Sequence, residues 1–190
     1  MNNLIRERKG MLILSLLVIL LPLGVGLFLW NQLPDQVPIH FGLNGQADNY
    51  AGKAFVVFGL PLLMAALQVL LLVVTMADPK GKNIAAKPFG LLLWICPLVS
   101  LFCGTMTYAK ALALPVDINL VGGLFLGLMF LVVGNYLPKC KQTYTVGIRL
   151  PWTLADEDNW AYTHRLAGKV WTIGGLVILA LTFLRLPVLQ

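Results

Sequence analysis

A chain of 190 residues that is 58% hydrophobic and 12% charged, with a mean hydropathy of +0.82, lies outside the range of soluble globular domains. Its net charge of +6 and pI near 9.4 come from cations dispersed over several segments, which membrane topology explains without a nucleic-acid partner. Three cysteines with no C-x-x-C spacing exclude a disulfide framework, since Cys96 and Cys103 stand about 10 Å apart along a helix and Cys140 lies in a different segment.

Five apolar runs, at about 11 to 30, 54 to 76, 89 to 108, 118 to 137 and 168 to 186, each approach the roughly 20 residues a transmembrane helix needs. None shows the period-two alternation of barrel strands. The expected fold is an all-α polytopic membrane protein, a bundle of about five transmembrane helices carrying a small folded extracytoplasmic loop, with residues 1 to 190 forming a single membrane domain. The first run follows Arg6, Arg8 and Lys9 but is too long for a signal peptide's apolar region and lacks an A-x-A-like site, so it reads as a retained span. Lys and Arg fall unevenly on the two sides: Lys53, Lys110 and Arg185 on one, and all the others, from Arg6 to Lys169, on the opposite side. The positive-inside rule then puts the N-terminus in the cytoplasm and the C-terminus outside.

Span one carries Pro22, Gly24 and Gly26 and ends at Trp30. The segment 31–53 that follows is longer than a helical hairpin requires. Pro34 and Pro38 favour extended backbone, and Asn44-Gly45 between Ile39, Phe41 and Tyr50 is a strong hairpin signal, so this segment reads as an ordered extracytoplasmic cap. His40 has Asp35 and Asp48 as nearby carboxylates, which leaves structural hydrogen bonding, partner contact and metal binding all open.

In span two, Gln68 reads as a hydrogen-bonding bridge between helices. In span three, Pro97 interrupts the backbone ladder, and Ser100, Cys103 and Thr107 read as one inward face. Span four contains Gly123-x-x-x-Gly127, a pattern of close helix approach. No Asp or Glu falls inside a span, which speaks against an ion-coupled transporter.

Residues 138 to 167 form a cytoplasmic loop and helix extension leading into span five. Thr153 reads as the N-cap of a helix starting near residue 154 and running to about 183, with Asp156, Glu157 and Asp158 in its first turn. Trp160 and His164 then share a face, and Arg165 lies beside them. Trp152, Trp160 and Trp171, with Arg149, Arg165 and Lys169, suit an interfacial anchor or a docking surface. Span five carries Gly174-Gly175 and ends near Arg185, which can snorkel outward. No hydrolase, protease or nucleotide-binding fingerprint occurs, and the two histidines fall on opposite membrane faces.

Two motifs resemble those of the SdpI/YfhL family of bacterial membrane proteins. Leu33, Pro34, Pro38, His40, Phe41, Gly45 and Asp48, with Pro61, match the pattern of its N-terminal domain of unknown function. Gly134, Asn135, Leu137, Pro138, Gly147, Ile148, Arg149, Pro151, Trp152, Thr153, Trp160, His164, Arg165 and Gly168 match its C-terminal signature. The sequence departs from the pattern at Gln142-Thr143, where Pro-Asn is expected. The resemblance implies a non-enzymatic immunity protein of the bacterial cytoplasmic membrane that resists a secreted membrane-active peptide and also signals by holding a transcriptional repressor.

On that reading Pro38, His40, Phe41, Gly45 and Asp48 meet the toxin. The cytoplasmic signature comprises Asn135, Pro138, Gly147, Arg149, Pro151, Trp152, Thr153, Trp160, His164 and Arg165, with Arg149 pairing charge and Trp152 anchoring by packing. Expected partners are membrane lipids, the toxic peptide and the repressor, with no cofactor, metal or catalytic residue. The alternatives are a transporter or amphiphile-handling protein, marked by a polar cavity from Gln68 to Ser100, and an intramembrane enzyme.

Overall fold

The computed structural model describes residues 6–42 and 44–184. Helix α1 (Lys9–Phe28) leads into a hairpin of strands β1 (Gln36–Phe41) and β2 (Ala47–Gly52). A π-helical turn, Phe55–Gly59, continues into α2 (Leu60–Met76), and a short 3-10 turn precedes α3 (Ala86–Ala111). Helix α4 (Ile118–Tyr136) ends in a 3-10 turn, Leu137–Lys139; a one-turn helix α5 (Pro151–Ala155) then precedes the long α6 (Glu157–Leu184). All five long helices are apolar and long enough to cross a membrane. Their burial is inverted relative to a soluble bundle: Leu17, Leu70 and Ile173 are exposed, whereas Ser15, Gln68, Ser100 and Thr182 are buried. The chain is therefore an all-α, multi-pass membrane protein.

The spans pack as a three-helix group, α1 to α3, beside a two-helix group, α4 and α6. In the first group, Ser100, Gly104 and Tyr108 recur every fourth residue on α3 and cradle Pro22 of α1. A Cβ on Gly104 would lie 2.7 Å from Pro22 Cβ. Ser100 donates to Ile19 O and Tyr108 to Pro22 O, both at 2.9 Å, satisfying carbonyls around the turn that proline loosens. In the second group, Gly123, Gly127 and Gly134 of α4 meet Gly168, Gly175 and Thr182 of α6 so closely that side chains have no room. The Gly123-x-x-x-Gly127 pattern thus serves a seam within the chain. Across the groups, Phe102 and Phe125 stack at 4.1 Å.

Four expectations are corrected. Cys103 is exposed, while Ser100 and Thr107 are buried, because a residue at i+3 is rotated about 60° from the face shared by i and i+7. Gln68 is sealed in the three-helix group, yet its amide has no hydrogen-bond partner among the described residues. The long helix begins at Glu157 rather than 154. Pro151 starts α5, Thr153 sits inside it, and the chain extends at Asp156, whose Oδ1 accepts from Asn159 N at 2.9 Å and caps α6. Trp152 is 55% exposed, which opposes the packing-anchor role read for it, because it stands on the outer face of a single turn. The role read for Arg185 lies outside the described residues.

Candidate functional site

The hairpin end is a polar surface on an apolar foot. Val37 and Pro38 are buried, with Val37 in a cluster with Leu33, Val56, Val57 and Tyr108. Pro38, which lacks an N–H, is therefore a seat for the strand, and its placement opposes the contact role read from the sequence. Gly45 turns the hairpin at φ +70°, a conformation glycine adopts freely, and Asn44 Oδ1 accepts from Gln46 N at 3.0 Å. The ladder slips around His40, which pairs with Asn49, between the Pro38–Tyr50 and Phe41–Ala47 pairs. His40 Nδ1 lies 2.5 Å from Asp48 Oδ1, with the two side chains 68% and 52% exposed. His40 and Asp48 thus form an outward polar pair with half-buried Phe41 beside it. At the base, Lys53 pairs with Asp35 at 3.3 Å and lies over the Trp30 ring.

The opposite end is a loop strapped down by buried polar groups. Gly147 has φ +120°, and a Cβ there would lie 2.5 Å from His164 Nε2 and 2.7 Å from the Trp160 ring. Backbone conformation and space therefore both demand glycine. Ile148 N donates to His164 Nε2 at 2.9 Å, so that nitrogen must be the acceptor, and the proton sits on Nδ1, 2.8 Å from Trp160 O. His164 is thus neutral and stacked on Trp160 at 4.0 Å, and both are buried. Trp160 Nε1 donates to Cys140 O at 2.8 Å, so this tryptophan braces the loop rather than anchoring in headgroups. Burial pushes the Cys140 thiol pKa up.

Thr153 Oγ1 accepts from Leu150 N at 2.9 Å and lies 2.8 Å from Ile148 O, closing the turn that Pro151 begins. Gln142 and Thr143 are buried. Thr143 Oγ1 donates to Val146 O at 2.8 Å and accepts from Val146 N at 3.0 Å, turn closure of the kind an asparagine side chain supplies. Gln142 Nε2 donates to Thr153 O at 2.8 Å, and its Oε1 accepts from Lys80.

Asp78, absent from the residues read as functional, holds this loop from the α2–α3 connection. Its Oδ2 accepts from Tyr144 N at 2.9 Å and Thr145 Oγ1 at 2.7 Å. The available signal was a carboxylate directly at a span end in a chain with only 8 acidic residues.

The remaining signature residues divide by position. Pro138 packs its ring onto Gly168, where a Cβ would come within 2.6 Å of Pro138 Cγ. Asn135 accepts from Lys139 at 3.0 Å. Arg149 is exposed and donates to Tyr144 O at 2.8 Å, while Arg165 lies exposed on α6 beside the buried His164. No group of three or more His, Cys, Asp or Glu among the described residues is arranged to hold a metal.

These features define a class: a small helical membrane protein with a β-hairpin at one end and a buried-polar, strapped loop at the other. The family model "Domain of unknown function (DUF1648)" matches residues 17–65, and that of the "SdpI/YfhL protein family" matches 139–190. The chain thus resembles the SdpI/YfhL family, whose model it matches over its C-terminal segment. It is similar to "Immunity protein SdpI" of Bacillus subtilis (strain 168), with 27% identity over 175 residues covering 90% of this chain and 81% of the relative. No solved structure matches.

Proposed function

We propose that this chain is an immunity protein of the cytoplasmic membrane that protects a bacterium from a secreted membrane-active peptide. The observation carrying this reading is the similarity to an immunity protein across 90% of the chain, hairpin and strapped loop included. The clustering of Lys and Arg at the strapped end supports a cytoplasmic position for that end and an external position for the hairpin. A toxin arriving from outside then meets His40, Asp48 and Phe41 first. The exposed Arg149, Trp152 and Arg165 are a cytoplasmic surface on which a repressor docks, and the buried signature residues hold that surface in shape.

The test is survival of a peptide-sensitive bacterium expressing the chain, titrated with a secreted killing peptide and normalised to membrane abundance. Raised survival at matched abundance is expected; survival equal to the empty control overturns the immunity assignment. Repressor docking is tested separately by co-purification of a co-expressed repressor with wild type and with Arg149→Ala. Arg149→Ala lowers the yield, and equal yields contradict the docking surface.

A further inference from the structure

Three cavities meet around Pro138–Cys140. A polar cavity of about 520 Å3 is walled by Lys139, Lys141 and Arg165, with Glu157 as its acidic side chain. A groove of about 450 Å3 runs along the α4–α6 seam over Gly134 and Gly168, bordered by Lys139 and Lys169. A third cavity, about 350 Å3, lies between α3 and α4 beneath the strapped loop, walled by Leu91, Ile95, Val133 and Trp171. The polar cavity shares Pro138 and Lys139 with the groove, and Cys140 with the third cavity.

We propose that this arrangement binds an anionic phospholipid of the surrounding bilayer, with phosphate in the polar cavity and acyl chains in the flanking spaces. Three cations face one carboxylate there, and the side chains of Lys141 and Arg165 make no hydrogen bond or ion pair among the described residues. Unpaired cations in one cavity are suited to a phosphate, to which Lys and Arg form charge-assisted bonds. The apolar spaces lie on membrane-spanning helices, where hydrocarbon is the solvent. A soluble phosphate leaves those spaces unused, and a neutral lipid leaves the cations unused; a basic pocket between transmembrane helices suits an acidic headgroup. The polar cavity is also walled by Gln142 and Trp160, two residues that strap the loop, so the lipid braces the same surface.

The test is native mass spectrometry of the full chain in micelles containing equal phosphatidylglycerol and phosphatidylcholine. Wild type retains phosphatidylglycerol roughly tenfold over phosphatidylcholine, as two charge-assisted contacts imply. Lys141→Gln with Arg165→Gln abolishes that preference, while Lys9→Gln with Lys82→Gln, exposed cations at the same end outside the cavities, preserves it. All four side chains are exposed, and unchanged melting in detergent verifies folding of each variant. Equal retention of the two lipids by wild type, or equal loss in both variants, overturns the site.

Discussion

The two ends of the bundle use polar residues in opposite ways. At the hairpin, His40 and Asp48 point outward and touch little but each other. At the strapped loop, His164, Thr153, Gln142 and Asp78 turn inward and make most of their hydrogen bonds to backbone. A matched histidine therefore means different things at the two ends: one offers a surface, and the other builds the scaffold beneath a surface. The comparison predicts that loop substitutions act through stability and hairpin substitutions through contact.

The sharpest break in that comparison comes from Trp160→Ala. It empties a buried indole site and frees Cys140 O, at a cost of about 3–5 kcal/mol by analogy with core truncations. Thermal melting in detergent reads the loss, and Cys140 should alkylate faster in the variant. Gly147→Ala comes next, because the added Cβ meets both rings in a backbone conformation that already disfavours side chains; about 2–3 kcal/mol is expected. Asp78→Ala leaves Tyr144 N and Thr145 Oγ1 without their acceptor and costs about 1–3 kcal/mol, seen as faster hydrogen exchange of residues 143–148. A melting temperature unchanged by all three would erase the scaffold reading.

The helical framework was legible in the sequence because the hydrocarbon core imposes length and apolarity on each span. The hairpin was legible for a local reason, the Asn44-Gly45 turn between extended residues. What stayed hidden depended on distant contacts. Nothing near Asp78 in sequence announces residues 144–145, because that strap joins the α2–α3 connection to the loop after α4, segments far apart in the chain. Likewise Thr153-x-x-Asp156 satisfied a helix-start pattern, yet Pro151 began a separate turn and left Asp156 to cap the long helix. Around Gly147 and Arg149 the exposed and buried signature residues could not be separated by periodicity, since residues 140–150 have no regular period to read.

The smallest stability effect belongs to the hairpin. His40→Ala should shift stability by less than about 1 kcal/mol, because an exposed pair contributes little. In the same variant, loss of one polar contact to the toxin should lower protection by about fivefold. The most direct measurement is therefore peptide-titrated survival of cells carrying wild type or His40→Ala with Asp48→Ala, at equal membrane abundance and equal melting temperature. Reduced protection by the folded double variant is the predicted result. Protection equal to wild type would contradict the assignment of the hairpin as the contact surface.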